Sequence, residues 1–122
     1  MKYLLFNEQA TTADIGAAAH DVAMYPASSF LGFTNEATTE TEITMFFKSM
    51  EALNDIDATS TDKVVLTITI NRYVDVMKAI TQAMHATGPG YTDGVLTIFD
   101  AESGASVSSL VTGCAITVQA AD

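Results

Sequence analysis

The chain has 122 residues, 48% of them hydrophobic, and sets fifteen acids against five bases for a formal net charge of −10. A surface that binds a polyanion needs a basic patch to displace counterions, and Lys2, Lys48, Lys63, Arg72 and Lys78 are too scattered to build a large one in a monomer. The single Cys114 rules out an intrachain disulfide, and no apolar run approaches the ~18 residues of a membrane span, so no membrane partner is expected.

The length fits a single domain over residues 1–122. The opening residues carry one base and an apolar run of four, short of the apolar stretch of about seven in a secretory signal, so a soluble protein is expected. Residues 2–6 read as a short strand, with Leu4 and Phe6 on one face and Tyr3 and Leu5 on the other. Residues 12–23 are ambiguous between helix and loop. Thr12 could cap a helix with Ile15, Ala18, Ala19 and Val22 on one side, Gly16 weakens it, and Pro26 closes the segment. Residues 28–34 read as a strand with a bulge or close approach at Gly32.

Residues 42–49 alternate cleanly, Ile43, Met45 and Phe47 against Thr44, Phe46 and Lys48. Residues 51–62 form an acidic excursion with loop character. Residues 63–70 make the clearest strand, with Val64, Leu66, Ile68 and Ile70 on one face. Asn71 is placed as the cap of a helix over about residues 72–87, whose stripe is Tyr73, Met77, Ile80 and Met84 with Val76 beside it. Gly88, Pro89 and Gly90 stop that helix. Strands are expected at residues 95–99 and 114–119, separated by a turn-rich link at 100–105, with a bulge possible at Gly113 and residues 106–112 open between strand and loop. Short polar links between successive strands favour antiparallel pairing. The fold class is therefore α+β, mainly β: a bent antiparallel sheet or small barrel with one firm amphipathic helix.

Each residue with chemical potential has an ordinary structural explanation. Cys114 leads into an apolar strand and reads as a buried thiol. His85 falls at a helix C-terminus, where the helix dipole favours a cation, and His20 follows a run of alanines. No HExxH, CxxC or GxSxG occurs. Asp55, Asp57 and Asp62 hint at a calcium loop, but the positions that should hold glycine and the bidentate glutamate hold Ser60 and Leu66. Gly88–Gly90 follows a helix, whereas phosphate loops precede one. Phe30, Phe33, Phe46, Phe47 and Tyr73 could stack on bases, but no lysine- or arginine-rich stripe interleaves them. No catalytic, cofactor-binding or metal-binding residue is assigned, no cofactor is expected, and a non-enzymatic role follows.

The order of elements carries a resemblance. The opening strand at residues 1–6, the segment Tyr25-Pro26-Ala27-Ser28-Ser29-Phe30-Leu31-Gly32-Phe33, the threonine-rich residues 40–47, and residues 65–70 running into a helix resemble the small cyanophage-attributed proteins of marine viral metagenomes, with an Sm-like fold. The resemblance spans about residues 1–87. It implies a ring-forming protein, either nucleic-acid-binding or virion-associated, located in the host cytoplasm or the virion. Segments 8–23 and 88–122 are long for a minimal Sm-like barrel, and the charge opposes RNA binding. The expected function is a phage-encoded structural or assembly protein that forms homo-oligomers, with self and phage structural proteins as partners. The alternatives are an Sm-like ring with Lys48, Lys63 or Arg72 lining one face to bind nucleic acid, and a small ligand-binding barrel or enzyme.

Overall fold

A computed structural model describes residues 2–11, 21–35, 40–49, 61–85 and 94–118. Strands β1 (Lys2–Asn7), β2 (Val22–Pro26), β3 (Phe30–Asn35), β4 (Glu42–Lys48) and β5 (Thr61–Ile68) are followed by helix α1 (Tyr73–His85), then β6 (Gly94–Asp100) and β7 (Val111–Thr117). They form two sheets, of order β2-β1-β6 and β3-β4-β5-β7. The four-stranded sheet is antiparallel throughout. In the smaller sheet β1 pairs antiparallel with β2 but parallel with β6. The mainly-β class with one helix holds. The small barrel does not: among the described residues no ladder joins the two sheets, so neither closes on itself.

The core lies between the sheets and under the helix. Leu4 and Phe6 from β1, Ile43, Met45 and Phe47 from β4, Val64 and Leu66 from β5, Val76 and Ile80 from α1, and Ile98 from β6 are fully buried in one cluster. Period-two alternation puts the first three sets inward, and a spacing of four joins the helix pair. Tyr73, Met77 and Met84 pack half-buried against the same cluster.

Several sequence expectations shift. Val22–Pro26 is a strand with Ala23 and Tyr25 inward, so the helical reading of residues 12–23 fails at its C-terminal end. Pairing with β1 along five residues outweighs the weak helical spacing there. Residues 12–20, His20 among them, lie outside the described residues. β5 starts two residues before and stops two before the expected bounds, so Ile70 is exposed rather than inward. The chain turns at once: Asn71 has φ of 62°, its amide bonds to Glu40 O, and Arg72 N bonds to Thr69 O. Val76 N then bonds to Arg72 O at 3.1 Å, which makes Arg72 the helix cap residue in place of Asn71. The bulge near Gly32 is present as a register shift between Phe30 and Gly32. A second shift brings Thr67 opposite Gly113 and Ile68 opposite Val111, leaving Thr112 as the extra residue beside Gly113.

Candidate functional site

A buried polar contact joins the two sheets. Tyr25 stacks on Phe47 with centroids 4.3 Å apart and planes 12° from parallel, and Phe6 meets both rings edge-on. Asp62 is the register partner of Phe47 across β4 and β5. The Tyr25 hydroxyl therefore reaches Asp62 and donates to Oδ2 at 2.7 Å, with both residues buried. Burial, then the hydrogen bond to Asp62 and its negative charge, pushes the Tyr25 hydroxyl far above its ordinary value. It stays protonated and serves as a donor. Asp62, one of the three carboxylates of the possible calcium loop, is thus committed to the core. Asp55 and Asp57 fall outside the described residues, as do Gly88–Gly90.

A polar network closes one end of the β1–β6 pair. Asn7 Nδ2 donates to Asp100 Oδ1 at 2.8 Å, Ser103 Oγ donates to Asp100 Oδ2, and the Glu102 amide donates to Oδ1. These donors, Asn7 foremost, hold the Asp100 carboxyl below its usual range. At the other end Lys2 is buried, and its Nζ donates to the carbonyls of Ala83 and Met84, satisfying acceptors that the last helical turn leaves open. His85 sits on that turn, exposed, with Nδ1 donating to Thr81 O at 2.9 Å. Cys114 lies on β7 opposite Leu66, and burial, then the charges of Glu8 and Asp100, pushes its thiol up to about 12. It is a poor nucleophile near neutral pH. Among the described residues no three His, Cys, Asp or Glu side chains converge as a metal site, and no helix is long and apolar enough to cross a membrane. A groove of about 220 Å³ on α1, lined by Met77, Lys78, Thr81 and Gln82, is open and is smaller than the usual ligand pocket of about 300–1,000 Å³.

The sheet edges differ more sharply. β7 faces outward with the amides of Cys114 and Ile116, and Glu8 Oε2 accepts the Ile116 amide at 2.9 Å. β6 is covered over its second half, because Asp100 N bonds to Ala105 O and Val107 N bonds to Ile98 O. β2 is five residues long and ends on Pro26, which has no amide to offer. Each device is a known way of blunting an edge.

The chain matches no protein-family model, no curated protein and no solved structure.

Among the described residues β3 carries no such block beyond the bulge at its start. Its sequence, Phe-Leu-Gly-Phe-Thr-Asn, has no charge and no proline. The direction of its peptide groups follows from the ladder. Ile68 N donates to Thr41 O at 2.8 Å, so Ile43, Met45 and Phe47 turn their peptide groups to β5, and Glu42, Thr44 and Phe46 turn theirs to β3. Phe33 and Asn35 stand opposite Met45 and Ile43, so their own peptide groups point away from the sheet. The same alternation predicts that Ile116 faces outward on β7, as its bond to Glu8 requires. Leu31 is 53% exposed beside this edge, and Phe30 and Phe33 meet edge-on at 4.8 Å, both half-buried. Of the aromatic residues singled out in the sequence, Phe47 and Tyr73 belong to the core, Phe30 and Phe33 flank the open edge, and Phe46 lies on the outer face with Lys63 Nζ 5.9 Å from its ring centre.

The contacts that the sequence did not announce are all between distant residues: Tyr25 with Asp62, Asn7 with Asp100, Glu8 with Ile116, and Lys2 with the helix end. A buried aspartate at the start of a strong strand was the one visible signal. Asp62 precedes Lys63–Ile68 on the same alternation as Val64 and Leu66.

Proposed function

We propose that this chain is a non-enzymatic structural subunit that works by associating with copies of itself. The observation that carries this reading is the β3 edge, free of charge and with Leu31 exposed beside it, in a chain of net charge −10. Like-charged copies repel, so an uncharged edge is where they can approach most closely. An open strand edge also offers main-chain hydrogen bonds, which any second strand can complete. In its narrower form, taken from the resemblance to cyanophage-attributed proteins, the assembly is part of a phage particle. The test is light scattering coupled to gel filtration over about 10 µM to 1 mM, a range in which mass action drives weak association. The mean mass should rise above the 12.9 kDa monomer as concentration increases. A constant monomer mass throughout would remove the reading.

A second reading has one observation in its favour. Lys48, Phe46 and Lys63 share the outer face of the four-stranded sheet, and Phe46 and Lys63 are register partners. A lysine pair around a half-exposed aromatic is a small platform for single-stranded nucleic acid. Glu42 lies on the same face and opposes it. Labelled oligonucleotides at low salt should then bind and release steeply as salt is raised, and a flat titration at low salt would end this alternative.

A further inference from the structure

We infer that α1 is hinged at its N-terminal end and latched at its C-terminal end by Lys2, so that the helix opens from its C-terminal end as a unit separate from the sheets. This device is independent of how copies of the chain associate.

The latch begins as an anomaly in the pattern of β1. Lys2 shares the inward face with Leu4 and Phe6, and it is only 8% exposed. A buried ammonium is costly unless its donors are met. Its Nζ donates to Ala83 O at 2.9 Å and to Met84 O at 3.2 Å. Both carbonyls belong to the last turn of a helix that ends at His85, where no further helical amide reaches them. The negative end of the helix dipole faces the same cation. β1 is the central strand of its sheet, so a long side chain ties the helix end to the middle of that sheet.

The two ends of the helix are held differently. At the N-terminal end the restraint is backbone: Thr69 N bonds to Leu110 O and Asn71 N to Glu40 O, which fixes the junction to the approaches of β7 and β4. Along the helix Val76 and Ile80 are fully buried. Beyond Ile80 the apolar side chain packed against the core is Met84, half-buried, while Thr81, Gln82 and His85 are exposed. Local opening starts where buried apolar contact is sparse. In α1 that is the turn at residues 81–85, and Lys2 is a polar restraint on it. Breaking the two Nζ bonds releases this turn, and rotation about residues 69–72 lifts Val76 and Ile80 from the core. The open form uncovers apolar surface that the closed form hides.

Native-state hydrogen exchange of the intact chain in low urea tests this. Amides of residues 81–85 should exchange through an opening with a weaker urea dependence than the amides of β4 and β5. Labelling of the Lys2 amine by acetic anhydride, read by fragment mass, should follow the same urea dependence, and in water it should run about tenfold or more slower than at the exposed Lys78. Lys2→Met should speed exchange at residues 81–85 about tenfold or more, the factor that one hydrogen bond to a charged group is worth. Lys2→Arg keeps a cationic donor and should restore slow exchange. Where Lys2→Met fails to fold, labelling of the unaltered chain decides. A Lys2 that reacts as fast as Lys78 overturns the latch. Helix amides and Lys2 that open only together with β4 and β5 overturn the separate opening. A folded Lys2→Met chain with unaltered helix exchange overturns the role of Lys2.

Discussion

Tyr25 and Asp62 show how much one side chain can decide. The hydroxyl is the hydrogen-bond donor that reaches Asp62 Oδ2 from the opposite sheet, and both groups are removed from water. Tyr25→Phe keeps the stacking on Phe47 and removes that donor. Losing a hydrogen bond to a charged group costs about 1.5–3 kcal/mol, so the urea midpoint should fall with the slope unchanged. The pH dependence has a definite sign. The folded Tyr25 titrates far above its ordinary value of 10.0, so folded and unfolded forms both hold the proton below that pH. Above it the unfolded chain ionises and the folded chain does not, so stability is lost as pH rises. Tyr25→Phe should flatten this alkaline decline, and urea titrations at pH 8 and above pH 10 would reveal it. Cys114 adds to the decline in the same direction between its ordinary 9.0 and about 12.

At the scale of elements, the junction between β5 and α1 is the most informative. The strand and helix were both legible, because β-branched alternation and a spacing of three and four are local signals. The junction was not. Ile70 continues the alternation of Val64, Leu66 and Ile68, but the ladder stops at Ile68. Backbone bonds from Thr69 to Leu110 and from Asn71 to Glu40 then hold the turn, and both partners are remote in sequence. Asn71 is the single non-glycine residue of positive φ among the described residues, a conformation that asparagine tolerates better than most. Asn71→Ala should therefore lower stability by about 1 kcal/mol, and Asn71→Gly should leave it unchanged or slightly raised. Thermal unfolding of the two variants side by side checks the assignment. A cap role for the Asn71 side chain would instead make both variants destabilising.

For the whole molecule, what matters is how the sheet edges are covered. Glu8 spans from the end of β1 to the outer rim of β7, so it closes the larger sheet with a residue from beside the smaller one. Glu8→Ala would free the Ile116 amide and open the β7 edge further. A copy could then join β3 to β7 of the next, and that contact does not close. The variant should form larger, more polydisperse assemblies than the wild type, read by light scattering at matched concentration. Glu8→Gln keeps an acceptor oxygen for the amide and should behave as wild type.

The mainly-β class, the helix stripe and the inward residues of β1, β4 and β5 were determined by the sequence itself. Their signals are the alternation and spacing of apolar side chains, which depend only on neighbours along the chain. The parallel pairing of β1 with β6, the strand at Val22–Pro26, the buried Tyr25–Asp62 contact and the Glu8 contact at the β7 edge were decided by tertiary structure. Each depends on which distant segment lies alongside, and side-chain periodicity carries no record of that. Length, charge and pattern together described an acidic β-rich chain without a recognisable catalytic motif. Only the folded placement of Glu8 and of residues 105–107 showed which stretches of β7 and β6 are covered.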